Sequence, residues 1–362
     1  MSSIIGTKVK ISVFGESHGE AIGVVIDGLP AGYDIDFDKV YEDMKRRAPG
    51  QDKFSTPRAE KDMPRVLSGI FNGKTTGAPL AAIIENSNTK SKDYSELKIK
   101  MRPSHSDYPA MIKYDGYNDY RGGGHFSGRL TAMFVFAGAV CKEILKQRDI
   151  YVGSHIKSIR NVKDDSFDKT NITKELLDNL RENRFPTLNK NVVDEMQKEI
   201  LDAKNDLDSV GGVIEAAIIN LPAGIGDPMF NSVESVLSHM LFSIPAVKGV
   251  EFGEGFNIAT LRGSEANDSY YIEDGKIKTY TNNNGGILGG ITNGMPVVFS
   301  LAIKPTPSIS KPQKTVNVET MENDILEIHG RHDPCIVQRA VPVVECAAAV
   351  AILDILLQEK QQ

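Results

Sequence analysis

The chain has 362 residues, of which 40% are hydrophobic and 25% charged, ordinary values for a soluble globular protein long enough to bury a large core. Its 42 Lys and Arg against 48 Asp and Glu leave a formal charge of −6, so no overall basic field recruits nucleic acid. Three cysteines (Cys141, Cys335, Cys346) with no C-x-x-C spacing argue against a disulfide framework or a zinc cluster and fit a reducing compartment.

In chain order, the opening MSSIIGTKVKISVFGESHG lacks the apolar stretch of a secretory leader, and a cytoplasmic protein is expected. VKISVFG (9–15) and AIGVVIDGLPAG (21–32) predict strands, the second closed by a Pro-Gly turn. A helix follows, capped by Asp36 or Asp38, striped by Val40, Tyr41 and Met44, and stopped at Pro49-Gly50. A stronger helix is predicted over 127–147. Leu130, Met133, Phe134, Ala137, Cys141, Ile144 and Leu145 recur at three or four residues, with Ser127 as N-cap. Residues 149–210 are charged and helix-patterned, with Thr170, Asn171 and Thr173 as caps, and predict a solvated helical connector. The most apolar run, 340–357, is interrupted by Glu345 and Asp354, which predicts a buried helix rather than a membrane span.

Four landmarks occur twice in the same order. LPAG stands at 29–32 and 221–224; LSGIFNG (67–73) is echoed by LGGITNG (288–294) and RPS (102–104) by KPT (304–306). Arg121 and Arg129 lie eight apart before an apolar helix, as do Arg331 and Arg339. An internal duplication is expected, with halves near 8–147 and 211–358 about a pseudo-twofold, forming one basic cleft from both.

Chemistry concentrates in a few loops. SVFGESHGEAIG (12–23) places Glu16, Ser17 and His18 at a strand end between glycines that admit a close neighbour. DYRGGGHFSGRLT (119–131) puts free backbone N–H groups ahead of a helix, a place suited to phosphate or to a tight structural turn. MRPSHSDYP (101–109) offers His105 a carboxylate at Asp107, and GRHDPC (330–335) gathers Arg331, His332 and Asp333. Arg46, Arg47, Lys53, Arg58, Lys61, Arg102, Arg121, Arg129, Lys304, Lys311, Arg331 and Arg339 form a recurring cation set. In such number they suit a ligand with several carboxylates or phosphates. Walker A, H-E-x-x-H and G-x-S-x-G motifs are absent from the sequence. Two rival readings use the same residues. One is a metal-dependent phosphohydrolase liganding through His18, His105, Asp107, His332 and Asp333; the other is a non-catalytic flavin or phosphometabolite sensor.

The sequence resembles the chorismate synthase family through FGESHGEAIGVVIDGLPAG, RRAPG, STPRAEKD, SGIFNGKTTGAPL, RPSHSDY, YRGGGHFSGRLTA, IPAVKGVEFGEGF, NNGGILGGITNGMP, IKPTPSI and GRHDPCIVQRAVPVVE. These run in family order from 14 to 345 and leave only the connector poorly matched. The resemblance implies an α+β fold, a β-α-β sandwich with antiparallel sheets in a single domain, assembled as a homotetramer. It implies a shikimate-pathway lyase that converts 5-enolpyruvylshikimate 3-phosphate into chorismate and phosphate by 1,4-anti elimination, with reduced FMN. NADPH would enter only as a reductant in a bifunctional enzyme; nucleic acid and membrane are not expected partners.

By the family pattern His18 would protonate the departing phosphate with Ser17 beside it. His105 would protonate or hydrogen-bond the reduced flavin at its N1/C2-carbonyl edge. Asp333, with Ser17 and Ser127, would relay the abstracted proton through flavin N5. Arg46, Arg47, Arg129 and Arg339 would hold substrate anions. The flavin would lie against His125, Phe126, Ser127, Ala246, Gly289, Lys304, Pro305, Thr306, Pro307, Ser308 and Arg331. Where many members read GGGRSSARET this chain reads GGGHFSGRLT, so His125 replaces an Arg and Phe126 a hydroxyl. Lys53 stands where an Arg is common, and Pro245 where a polar residue is common.

Overall fold

Two antiparallel sheets with helices between them organise the residues described by the computed structural model, namely 3–50, 62–86, 96–328 and 333–359. In the first part of the chain, strands β1 (Ile4–Ile5), β2 (Lys10–Gly15) and β3 (Ala21–Asp27) precede helix α1 (Phe37–Arg47). Then come β4 (Arg65–Ser68), the hairpin β5 (Ile70–Phe71) and β6 (Lys74–Thr75), β7 (Leu80–Glu85), α2 (Asp107–Lys113) and α3 (Thr131–Lys146). The second part begins with β8 (Tyr151–Ile159), β9 (Val162–Lys163), α4 (Lys174–Glu182), α5 (Val193–Asn205), β10 (Gly212–Ile219), α6 (Val233–Phe242) and β11 (Val247–Phe252). It continues with α7 (Gly263–Ala266), β12 (Tyr270–Glu273), β13 (Lys276–Thr279), β14 (Ile287–Leu288), β15 (Ile291–Thr292), β16 (Val297–Ile303), β17 (Gln313–Asn317), β18 (Glu322–Leu326) and α8 (Val337–Gln358).

The sheets run β1-β2-β3-β7-β4 and β11-β16-β10-β8-β9. β2, β3, β7 and β4 therefore occupy the same successive places as β8, β10, β16 and β11. The LPAG turns are held alike. Gly32 N donates to Thr75 O and Gly224 N to Thr292 O, both at 2.8 Å, while Thr75 Oγ1 and Thr292 Oγ1 donate to Pro30 O (2.6 Å) and Pro222 O (2.7 Å). The hairpins in like positions are Ile70–Thr75 and Ile287–Thr292, so the echo read between 67–73 and 288–294 is displaced. Asn72-Gly73 and Gly289-Gly290 both turn with positive φ, the twist a two-residue hairpin needs.

The sequence places a solvated helical connector at 149–210, and its first part is corrected here: 151–159 is strand β8, paired with β10 and mostly buried. Ser154 and His155 disguise the strand. His155 is satisfied by Asp164 (3.0 Å) and Glu215 (3.0 Å), and Ser154 Oγ lies 3.2 Å from Glu345 Oε1. Helix α4 begins beyond it, capped by Thr173, and packs Leu177 on Gly153 of the outer sheet face. Asp36 caps α1, and Ser127 caps a short 3-10 turn (Gly128–Leu130) that leads into α3.

α3 and α8 cross in the middle layer, where one continuous apolar core joins both sheets. α8 is long and apolar enough to cross a membrane, yet it is buried among the other elements. Its Glu345 anchors a charge cluster. Arg46 donates to Glu345 (2.7 and 2.9 Å) and Asp43 (3.0 Å), Lys142 reaches both carboxylates, and Arg181 of α4 joins Asp43 at 3.0 Å. These ties fix the C-terminal end of α1, and with it Arg47.

Two outcomes follow from this packing. A Cβ on Gly138 would lie 2.2 Å from Cys346 O, so Gly138→Ala should destabilise by about 1–3 kcal/mol despite the better helix propensity of Ala, worth ~1 kcal/mol. A denaturation midpoint equal to or above that of the parent would contradict it. Burial pushes the Glu345 carboxyl up, but Arg46 and Lys142 win and hold it at about 2, below its ordinary 4.5. Its contribution is therefore complete above pH 4.5 and lost as pH falls towards 2. Glu345→Gln should cost about 3–5 kcal/mol near neutrality and flatten that acid limb in urea titrations.

Candidate active site

A cavity of about 1350 Å³ opens beside the starts of α3 and α8. His18, His105, His125, Phe126, Ser127, Arg47, Arg102, Arg129, Asp333 and Arg339 line it. The same wall contains Ala246, Lys304, Thr306, Pro307 and Ser308. Arg129 and Arg339, from the two parts of the chain, thus face one space.

The 16–20 turn after β2 brings in the first imidazole. His18 is 7% exposed, and its Nδ1 lies 3.1 Å from Ser17 Oγ, which is also within 3.2 Å of the carbonyls of Arg121 and Gly122. Ser17 is buried behind His18 and does not itself line the cavity. The three glycines of the facing loop have φ of +57°, +85° and +52° at 122, 123 and 124, a region that disfavours any Cβ. A Cβ on Gly122 would lie 2.2 Å from His18 Cε1, and one on Gly123 3.1 Å from His105 Cε1. The glycines let the backbone pass against both imidazoles.

His105 Nδ1 is 2.7 Å from Asp107 Oδ1, and the Arg102 fork grips the same carboxylate twice at 2.7 Å. Burial would raise the Asp107 carboxyl, but hydrogen bonds from Arg102 and His105 outweigh it and hold the group below the usual carboxylate range. An ionised Asp107 accepts the hydrogen bond of Nδ1–H and leaves Nε2 of His105 to meet a ligand.

The guanidiniums are held from behind. Arg47, 4% exposed, donates Nη1 to Asp62 (2.7 Å), Nη2 to Gly128 O (2.8 Å) and Nε to Thr131 Oγ1 (3.2 Å). Arg129 donates Nη1 to Asp62 (2.8 Å) and Nε to Asn86 Oδ1 (2.7 Å). Arg339 pairs with Asp333 and donates Nε to Arg47 O at 3.0 Å. Burial pushes the Arg47 guanidinium down to about 10, with Asp62 opposing and Arg339 and Arg129 reinforcing the fall. Burial and the neighbouring Lys248 lower Lys304 as well.

Not every expected residue arrives. Arg46, expected at the substrate, turns instead into the Asp43–Glu345 cluster and does not line the cavity. Gly289 sits at the β14–β15 hairpin tip and Pro305 beside the wall; neither lines the cavity. Arg331, His332, Lys53, Arg58 and Lys61 lie outside the described residues. His125 reaches the cavity with both nitrogens already engaged, Nδ1 to Gly15 O (2.8 Å) and Nε2 to Ser3 Oγ (3.1 Å). Phe126 packs a tilted ring on Tyr114 with centroids 6.2 Å apart.

Asp62 and Asn86 escaped the sequence reading. Asp62 carried a faint signal as an acid inside the basic STPRAEKD stretch, whereas Asn86 carried none. Asn86 Nδ2 also donates to Glu16 O and Gly19 O, both at 2.9 Å, and so ties Arg129 to the His18 turn. Among the described residues, no three His, Cys, Asp or Glu side chains gather as metal ligands, so the phosphohydrolase reading finds no support there.

Comparison with known proteins gives the family and the fold. The family model described as chorismate synthase matches residues 9–357. Among curated relatives, the chorismate synthase of Thermococcus kodakarensis is 46% identical over 355 residues, 98% of either chain. That of Pyrococcus abyssi is 47% identical over 352 residues, 97% of either chain. That of Dehalococcoides mccartyi (strain BAV1) is 44% identical over 358 residues, covering 99% of this chain and 97% of the relative. A solved structure, "Crystal Structure of Chorismate Synthase", superposes with a TM-score of 0.74 at 27% identity, over 98% of this chain and 93% of the other. A full-length match on this two-sheet frame, with both imidazoles facing one cation-lined cavity, places the chain in the chorismate synthase family.

Proposed function

We propose that this cavity carries the family's reaction, the 1,4-anti elimination of phosphate from 5-enolpyruvylshikimate 3-phosphate to chorismate with reduced FMN. The convergence of His18, His105 and four guanidiniums on one cavity carries the reading. The substrate's two carboxylates and phosphate match that charge.

The residues present also fit a flavin. Gly122 gives the wall a stretch without a side chain, Lys304 supplies a cation, and Phe126, Pro307 and Ile328 give apolar surface. Ala246, at φ +76°, exposes strained backbone to the same space, its carbonyl accepting from Lys304 N at 2.9 Å. His125, Phe126, Ser127, Ala246, Lys304, Thr306, Pro307 and Ser308 would hold the group. When bound, reduced FMN supplies an electron-rich ring that lends density to the substrate as the allylic system develops charge.

The chain's own groups do the rest. Arg47, Arg129 and Arg339 bind the substrate anions. His18 donates a proton to the departing phosphate oxygen as the C–O bond breaks, with Ser17 Oγ orienting its ring. Asp333 accepts the ring proton, with the Ser127 hydroxyl on the same cavity wall, while the C–H electrons form the new double bond; Ser17, behind His18, acts only through that ring. His105, with Asp107 behind it, holds the cofactor's polar edge. Burial of these groups strengthens each interaction relative to water.

The like order of the sheets and the paired LPAG turns support an internal duplication with halves beginning near Lys10 and Tyr151, earlier in the second part than its landmarks alone suggest. Self-association, as in the homotetramer that the family resemblance implies, is supported by exposed apolar side chains on the β12–β13 hairpin, Tyr270, Ile272 and Ile277. A cytoplasmic setting is supported by three buried, free thiols.

In oxygen-free solution with chemically reduced FMN, the enolpyruvyl phosphate should yield phosphate and chorismate in equal amounts; absence of both products would refute the reading. His18→Ala and His105→Ala should each lower turnover by about 10²–10⁴-fold while substrate still binds, and unchanged turnover in both would remove their assigned roles. Gly122→Ala, which forces the His18 ring aside, should lower turnover by about 10²-fold. A Gly122→Ala enzyme of parental rate would mean that His18 acts from another position.

A further inference from the structure

We infer that Asp62 is a positioning residue for the anion-binding pair: its carboxylate, before any ligand arrives, sets the angle at which the Arg47 and Arg129 forks meet the cavity. The inference rests on the reading that these two arginines hold the substrate. Asp62 has a fully buried side chain and does not line the cavity, so it acts on the ligand only through the forks. One oxygen accepts from Arg47 Nη1 at 2.7 Å and the other from Arg129 Nη1 at 2.8 Å. A single carboxylate therefore couples the end of α1 to the turn before α3.

Each fork has a further fixed acceptor. Gly128 O and Thr131 Oγ1 hold Arg47, and Asn86 Oδ1 holds Arg129. With Nε and one N–H of each terminal nitrogen engaged, Arg47 keeps two N–H groups for a ligand out of five. Remove the carboxylate, and Arg47, which already feels Arg339 and Arg129, loses the one anchor it shares with Arg129, so the two forks repel one another with no common acceptor to fix their mutual angle.

Two roles for Asp62 predict opposite signs. Were it merely a screen that reduces positive charge, Asp62→Asn would make the site more cationic and tighten anion binding. As a positioning residue its loss weakens binding, because an amide offers one oxygen to two forks and turns N–H groups towards the other. Lost alignment outweighs the added charge, since truncating one partner of a buried, hydrogen-bonded ion pair costs far more than altering an exposed charge.

The test is an equilibrium titration of 5-enolpyruvylshikimate 3-phosphate into the full chain loaded with oxidised FMN, beside steady-state kinetics with reduced FMN. Asp62→Asn should raise Kd and KM by about 30-fold or more, with kcat at saturation and flavin affinity by fluorescence within about 3-fold of the parent. Asp62→Glu, which keeps the charge but displaces it, should fall between, about 3- to 10-fold weaker than the parent. It decides the matter alone if the Asn variant does not fold. Unchanged or tighter substrate binding in the variants, or an equal loss of flavin affinity, would overturn the inference. Arg47→Gln and Arg129→Gln separate the two levels. If they leave Kd unchanged, the substrate-binding reading has failed; if they weaken binding and the Asp62 variants do not, only the role of Asp62 has failed.

Discussion

Crowding of like charge governs this molecule. Arg47, Arg102, Arg129 and Arg339 share one cavity, and guanidiniums brought together in a water-poor space repel strongly unless carboxylates stand close by. Asp62 serves Arg47 and Arg129, Asp107 serves Arg102, and Asp333 serves Arg339. Each of the four guanidiniums is thus held in fixed geometry by a carboxylate, one of which is shared, with N–H groups such as the two left on Arg47 turned to a multiply charged anion. The fold can be read as the apparatus that brings these carboxylates into place.

That apparatus starts far from the cavity. α3 and α8 begin at the site and cross where Gly138 meets Cys346, so their N-terminal turns deliver Arg129 and Arg339 to one space. Below the crossing, Lys142, Arg46, Asp43 and Glu345 lock α1 against both helices, and α4 adds Arg181 from outside. Arg184 donates to Arg46 O, one residue before Arg47. The charged segment after β8 is thus tied to the presentation of a cavity residue. An isolated buried pair is weak evidence of stability, but this network carries a register across four helices, a role that apolar contacts perform less specifically.

Much of this was legible in the residues. Periodicity gave α1 and α3 and an apolar run gave α8; Asp36 and Thr173 cap α1 and α4, whereas Ser127 caps the 3-10 turn ahead of α3 and not α3 itself. The GESHG, GGGH and RPSHSD loops reach one cavity because each contains glycine or an acid that only a close-packed polar site requires. Strand β8 was not legible. Its buried Ser154 and His155 break the apolar pattern, and of their partners Glu215 and Glu345 are distant in sequence while Asp164 lies past the β8–β9 turn. Arg46 shows the same limit from the other side. Adjacent arginines at a helix end look equivalent, yet successive positions on a helix point about 100° apart, one into the core network and one into the cavity.

His125 shows how a substitution within a motif is absorbed. An arginine carries a permanent charge and five donors, whereas an imidazole has two nitrogens that must each find a partner. Here Gly15 O and Ser3 Oγ take both, and the ring binds the strand end before Glu16 to the segment before β1. Ser3, Ile4 and Ile5 consequently form part of the cavity wall. Positive charge given up at 125 remains available from Lys304 and Lys248, which face the same space, burial and Lys248 together lowering Lys304. A site built on neutralised forks tolerates the loss of one cation more readily than the loss of a carboxylate behind two. Removing the cation lowers attraction for the ligand, while removing the carboxylate releases repulsion inside the protein itself.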